Sequence, residues 1–387
     1  MNFVFLSPHF PPNYYRFSVH LNQLGVDVLG LADEPFERLQ PELRSELREY
    51  YRVDNMHNYD ELVRALGYFT HRYGHLDRLD SLSEYWLETE ARLRTDFNIP
   101  GLRQEQIGRI KRKSQMKKIF EKAGVAVAPG KVVRTPAQAR KLAAEIGYPL
   151  VAKPDIGVGA ARTYKIQDAA ELEQFFASKP PADYILEAFV DGIICTFDGL
   201  TDRQGNPVFY TSHQYSQGIM ETVNEDGLIY YYSLRDIPPD LEAAGLQTLR
   251  AFDVRERFFH FEFFRRAADN QIVALEVNMR PPGGLTTDMF NYANDIDIYR
   301  EWANIIVFNR FSAEYTRPYH CVYIGRKFNR AYAHAHSEIL KAFPTQVVHH
   351  EPISGLFSQA LGDYGYLARA PELDEIHTIA HYIQALA

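Results

Sequence analysis

Two stretches of this chain alternate apolar and polar residues with the two-residue period of a half-buried strand. In Phe258–Arg266 (FFHFEFFRR), His260 and Glu262 fall on one face, with Phe259, Phe261 and Phe263 on the other. In ALEVNMR, which begins at Ala274, the residues Glu276, Asn278 and Arg280 share a face and Val277 and Met279 lie behind them. Pro-Pro-Gly-Gly then turns the chain at once. Between the two runs, Ala267-Ala-Asp-Asn-Gln271 has the composition of a hairpin turn. A turn centred on Asp269 sets Glu262 opposite Glu276 and His260 opposite Asn278. Facing carboxylates about 5 Å apart repel each other, so this register predicts a divalent cation between them.

The remaining pattern reads as α/β and α+β. Strands are expected at 2–6 and 27–31, and helices at 15–24, 43–51 and 59–73, as in a Rossmann-like unit. No GxGxxG accompanies it, so a dinucleotide site has little support there. A basic run from Arg109 to Lys118 carries Ile110, Met116, Ile119 and Phe120 on an approximate helical stripe that Gly124 ends. Next come a strand at 132–133, a helix at 136–146, a strand at 149–153, a glycine loop from Asp155 to Ala161, a helix at 168–176 and a strand at 184–189. Beyond Gly192 the pattern is strand-rich: ICTFDGLT and PVFYTSHQY pair across a turn at 202–206. A helix at 240–251, another from about 295, and an α+β tail opening near Tyr319 complete the pattern.

Composition narrows the possibilities. A net charge of −8 over 387 residues lacks the basic field of a nucleic-acid binder. No run of 18 apolar residues predicts a membrane span. The amino end, MNFVFLSPHF, suits a first strand better than a signal peptide. Cys195 and Cys321 are the only cysteines and form neither a disulfide framework nor a zinc cluster, so a cytoplasmic location is expected.

Two carboxylates and an amide, with no thiolate nearby, suit Mg²⁺ or Mn²⁺. Mg²⁺ commonly takes a few carboxylates together with phosphates, which raises the question of a nucleotide. Lys113 in the basic helix and Lys153 before the glycine loop are placed to meet phosphates, and glycine backbone can approach them closely. Backbone groups near Phe189 and Val190, between a strand and Gly192, could meet an adenine edge. Each piece also has an ordinary reading: a solvated basic face, a surface turn, a salt-bridged sheet face.

In order and spacing, however, KSQMKKIFEKAGVAVAP from Lys113, PLVAKPDIGVGAA, YILEAFVDG, FFHFEFF and ALEVNMRPPGG resemble the ATP-grasp superfamily, carboxylate–amine ligase type. The resemblance covers roughly residues 100–305. It implies a Rossmann-like pre-ATP-grasp domain at 1–100, a small subdomain with the glycine loop at 101–190, a large subdomain with the metal site at 191–310, and an α+β region at 311–387. Lys113 and Lys153 match phosphate-contacting lysines, and the loop containing Gly157 and Gly159 matches a flap over the triphosphate. Glu187, Ala188, Phe189 and Val190 match the adenine-reading hinge, and Glu262, Glu276 and Asn278 match magnesium ligands. Arg280 matches the arginine on the transferred phosphoryl group, and Gly283 and Gly284 the turn that substrate approaches. One departure is Ile194, where the family often carries an acidic ribose ligand; Asp191 could substitute.

The function so implied is ATP-dependent ligation: a carboxylate becomes an acyl-phosphate and an amine or thiol displaces phosphate. The alternatives are a kinase or carboxylase-like ATP-grasp enzyme, or a catalytically silent nucleotide-binding module. No biotinylatable Met-Lys-Met is present to support a self-contained biotin enzyme. His213, His260 and Asp198 are candidates for touching substrate or metal, with strand-end polar residues as the plain alternative. His349, His350 and Glu351 invite a metal reading, but neighbours on a strand point to opposite faces, so a structural or lid role is expected. Small-molecule substrates and, from the resemblance, a homodimer are the expected partners.

Overall fold

The computed structural model describes residues 1–157, 162–216 and 227–387. Among them the strands form three sheets. The first is parallel: β1 (Asn2–Leu6), β2 (Asp27–Ala32), β3 (Glu49–Arg52) and β4 (Arg78–Asp80), in the order β3-β2-β1-β4. Its strands β1 and β2 are short apolar runs buried on both faces, as parallel sheets require. The helix Tyr59–Tyr73 covers it with Leu62, Ala65, Leu66 and Phe69, spaced at the helical period. The expected helix at 43–51 is a short helix, Pro41–Glu46, followed by β3. Leu, Glu and Arg there favour a helix, but pairing of β3 with β2 overrides that preference.

After β5 (Ala126–Val127), a small antiparallel sheet follows: β6 (Gly130–Val133), β7 (Leu150–Pro154), β8 (Tyr164–Ile166) and β9 (Tyr184–Ala188), ordered β6-β9-β7-β8. The helices Pro136–Ile146 and Ala169–Ser178 bury Leu142 and Leu172 in its core. Thr135 and Asp168 cap these helices by accepting from first-turn N–H groups.

The large sheet contains β5 and the described strands after β9: β10 (Gly192–Thr201), β11 (Pro207–Thr211), β12 (His213–Tyr215), β13 (Tyr230–Ser233), β14 (Phe258–Arg266), β15 (Ile272–Asn278), β16 (His320–Arg326), β17 (Val347–Pro352) and β18 (Tyr364–Ala370). Strands β16, β17 and β18 continue it beyond β13. Phe259, Phe261 and Phe263 enter one core beneath this sheet with Val277 and Met279. Each ring so buried contributes roughly 2–3 kcal/mol. Among the described residues no helix is long and apolar enough to cross a membrane.

Candidate active site

The hairpin of β14 and β15 has the predicted pairs: Glu262 faces Glu276 and His260 faces Asn278. The turn itself sits half a residue earlier than a centre at Asp269, since Phe264 pairs with Val273. An irregularity between Glu262 and Phe263 leaves Leu275 unpaired and restores the register at the acids.

The basic run is two helices, Gln104–Lys111 and Lys113–Lys122, broken at Arg112. The break puts Lys113 at a helix start, where the buried Asp155 fixes it. The Asp155 carbonyl accepts from Lys113 N–H (2.8 Å) and its carboxylate accepts from Ser114 N–H (2.8 Å). Lys113 Nζ then donates to Glu276 Oε1 (2.9 Å) and to the Gly157 carbonyl (3.0 Å). Burial alone would lower the Lys113 ammonium, yet Glu276 and Glu262 outweigh it and hold its pKa above the ordinary value. Lys153 Nζ lies 2.5 Å from Glu187 Oε1, and Lys117 Nζ 3.0 Å from Glu187 Oε2. These two lysines overcome the cost of burying Glu187 and lower its pKa.

In the protein itself two side chains offset the charge of the facing acids. Lys113 takes Glu276, and His260 Nε2 lies 3.0 Å from Glu262 Oε1. His260 Nδ1 in turn lies 2.6 Å from Asp198 Oδ1, and His213 Nδ1 2.7 Å from Asp198 Oδ2. Burial opposes every charge in this row, but the ion pairs win: Asp198 falls to about 2, His260 rises to about 9, and Glu262 is lowered. His213 and His260, expected as candidate substrate contacts, are buried at 1% and 5% exposure and are not among the residues that line the cleft.

Most of the other expected residues converge on one cleft of about 370 Å³, whose lining does not include Gly157, Gly283 or Gly284. Its wall includes Lys113, Lys153, Glu187, Ala188, Phe189, Val190, Asp191, Glu262, Glu276, Asn278 and Arg280, together with Ile194. The hinge N–H groups of Ala188 and Phe189 already donate to the Pro129 and Pro149 carbonyls, so an adenine edge would meet the groups beyond them. Lys165 places its ammonium 3.9 Å from the centroid of the Phe189 ring, a close cation–π contact. Arg280 Nη1 donates to the Pro281 carbonyl (2.7 Å). Gly284 has φ +63° and packs against Leu361, whereas Gly283 lies beside Phe357 with room to spare. Gly159 lies outside the described residues. His349 pairs with Glu351 (3.1 Å) and His350 with the Tyr364 hydroxyl (2.8 Å), on opposite faces of β17.

Three contributors were not anticipated. Lys117 belongs to the stretch read as a basic helix, and only its contact with Glu187 sets it apart. Glu84, from the loop after β4, pairs with Lys111 (2.8 Å) and adds to the field on Lys113, while its Oε2 is buried without a partner among the described residues. Arg257 donates from Nε to the Met279 carbonyl (2.8 Å) and pairs with Asp80 and Glu90, bracing the strand end that carries Asn278 and Arg280 against the first sheet. No local sequence signal marks these contacts, which join residues far apart in the chain.

Glu262, Glu276 and Asn278 present hard oxygen donors at one place, which fits Mg²⁺ or Mn²⁺. Among the described residues no three His, Cys, Asp or Glu side chains make a metal cage. An incomplete protein cage is what Mg²⁺ accepts when phosphates and water supply the other ligands.

A β-sheet hairpin of paired acids, faced by a small antiparallel sheet carrying a lysine and a hinge, is the ATP-grasp fold. In sequence, residues 112–190 match the family described as "Carbamoyl-phosphate synthase L chain, ATP binding domain". The carbamoyl phosphate synthase large chain of Deinococcus radiodurans is 31% identical over 160 residues, 40% of this chain and 15% of that protein. The uncharacterized protein y4rH of Sinorhizobium fredii is 25% identical over 307 residues, 74% of this chain and 60% of that one. The chain thus spans less than two thirds of the length of these curated relatives.

Among solved structures, the L-amino acid ligase of Bacillus licheniformis superposes with a TM-score of 0.75 at 16% identity, covering 98% of this chain and 96% of that one. The biotin carboxylase domain dimer of Hydrogenobacter thermophilus 2-oxoglutarate carboxylase, in complex with MgADP, ADP and bicarbonate, gives 0.71 at 16% identity, with coverages of 97% and 89%. N5-carboxyaminoimidazole synthetase of Staphylococcus aureus gives 0.72 at 13% identity, with coverages of 98% and 96%. These likenesses establish the fold.

Proposed function

We propose that this chain is an ATP-dependent ligase that converts a substrate carboxylate to an acyl-phosphate and passes the acyl group to an amine or thiol, with release of ADP and phosphate. The observation that carries the reading is the single cleft lined by both lysines, the hinge, the paired acids, Asn278 and Arg280.

Lys113 and Lys153 each sit on a carboxylate that a polyphosphate can replace as their partner. Arg280 offers a planar set of N–H donors to the phosphoryl group in transit. Glu262, Glu276 and Asn278 would hold a divalent cation, which supplies charge neutralisation for the phosphates. Asp191, exposed at the rim, is the acidic group available to ribose where Ile194 offers none. In this reading catalysis rests on positioning and electrostatics, supplied by Lys113, Lys153 and Arg280 in the cleft.

The test is an ADP- and phosphate-release screen over amino acids and other carboxylates, each paired with candidate amines and thiols, with products identified by mass. Ligation requires a condensed product, and Glu276→Ala must abolish the substrate-dependent release. Substrate-dependent release that survives this substitution, or ADP with a stable phosphorylated product and no condensation, contradicts the reading.

A further inference from the structure

Behind the paired acids, three adjacent strands align one row of polar side chains across the sheet: Asn278 on β15, His260 on β14 and Asp198 on β10. Asp198 is fully buried and its carboxylate is saturated by neighbours. Oδ1 takes His260 Nδ1 (2.6 Å), while Oδ2 takes His213 Nδ1 (2.7 Å) and the Thr196 hydroxyl (2.5 Å). The His260 ring is therefore held edge-on, and its remaining nitrogen meets Glu262 Oε1 at 3.0 Å. Both ring nitrogens face carboxylate oxygens, so both act as donors.

His213 does not reach the cleft. Its Nε2 is buried without a partner among the described residues, and its ring packs near Phe290 and Tyr231. Its part is to occupy the second Asp198 oxygen. Glu262, by contrast, is one-quarter exposed at the cleft, on a side chain with three rotatable bonds.

We propose that Asp198 is a positioning residue: through His260 it fixes the rotamer of Glu262 and leaves Oε2 of that carboxylate for a divalent cation. The inference rests on the metal-site reading of Glu262 given above. Groups that orient a ligand are worth about 10- to 100-fold in metal affinity when removed. Thr196, Asp198, His213 and His260 form a closed set whose sole exit to the cleft, among the described contacts, is Glu262.

The experiment is a Mn²⁺ titration of the full chain with ADP, followed by the electron paramagnetic resonance signal of free Mn²⁺. Wild type, Asp198→Asn, His260→Phe and Glu262→Gln are compared, with ADP affinity in EDTA and thermal melting measured alongside. Asp198→Asn is expected to weaken Mn²⁺ binding by about 10- to 100-fold, with metal-free ADP affinity unchanged. A general loss of structure would move both readouts. If Asp198→Asn does not fold, His260→Phe carries the same expectation. Loss in Glu262→Gln with wild-type Mn²⁺ affinity in Asp198→Asn, or in its His260→Phe substitute, overturns this inference and spares the metal site. Absence of ADP-dependent Mn²⁺ binding in the wild type overturns the metal-site reading itself.

Discussion

Lys113 Nζ lies 2.9 Å from Glu276 Oε1, joining the start of a helix to the middle of a strand 163 residues later. The pair turns a like-charge opposition across β14 and β15 into a compensated cluster, and it places a phosphate-binding candidate on a metal-binding candidate. Lys113→Met leaves Glu276 facing Glu262 without its cation. Breaking a buried pair costs on the order of 3 kcal/mol. The variant should therefore melt below wild type in EDTA, and Mn²⁺ should raise its melting temperature more than it raises that of wild type. An equal Mn²⁺ response in both proteins would mean that lysine and metal do not compete for Glu276.

Glu187 holds Lys153 at 2.5 Å and Lys117 at 3.0 Å. Its pKa is lowered, so the stabilisation it gives is present above the ordinary carboxylate range and is lost as pH falls through the depressed value. Glu187→Ala leaves two buried ammonium groups to repel each other, at a cost of about 3 kcal/mol. ADP, whose phosphates can take the place of the carboxylate, should restore more stability to the variant than it adds to wild type. Melting curves with and without ADP decide this, and an unchanged increment contradicts it.

His260 supplies a pH test in metal-free protein. Burial would lower this imidazole, but Asp198 and Glu262 raise it from 6.5 to about 9. A raised value stabilises fully below the unfolded pKa and fades as pH rises through the folded one. In EDTA, the stability gap between wild type and His260→Phe should narrow between pH 6.5 and pH 9.5, by up to roughly 3 kcal/mol. Denaturant unfolding at the two pH values measures the gap; a constant gap removes the argument.

The Pro-Pro-Gly-Gly turn gives a paired comparison. Gly284 has φ +63°, and a Cβ there would lie 2.6 Å from Leu361 Cδ1. At Gly283 the nearest neighbour, Phe357, would be an ordinary 3.5 Å away. Gly284→Ala should cost about 1–2 kcal/mol and Gly283→Ala less than about 0.5 kcal/mol. Equal losses on chemical denaturation would show that the turn does not depend on the left-handed conformation.

What could be read ahead of the structure was whatever a short-range period encodes. The alternation in FFHFEFF and ALEVN, with a turn between them, determined which acid faces which, because a slip of one residue would have turned Phe261 and Val277 out of the core. The bulge at Leu275 left no such mark. Glu49–Tyr51 was misread because the helical pattern before it was carried on into Tyr50 and Tyr51, which favour a strand, and the helix Thr286–Asn294 was missed because it follows the glycines without a break. The cleft residues were legible as a series of motifs. Their partners were not: Asp198 and His260 are 62 residues apart, and Arg257 reaches Met279 and Asp80 at once. Such contacts depend on strand order and helix placement, which no local pattern encodes. Sequence named His213, His260 and Asp198 as candidates for touching substrate or metal, but not that both histidines pair with the one aspartate.

In the proposed reaction a substrate carboxylate attacks the terminal phosphate of ATP in the cleft of Lys113, Lys153, Glu276 and Arg280. With the acid found by the screen labelled with ¹⁸O in its carboxylate, one ¹⁸O atom is expected in the phosphate released as the condensed product forms. Product formation with unlabelled phosphate would contradict it.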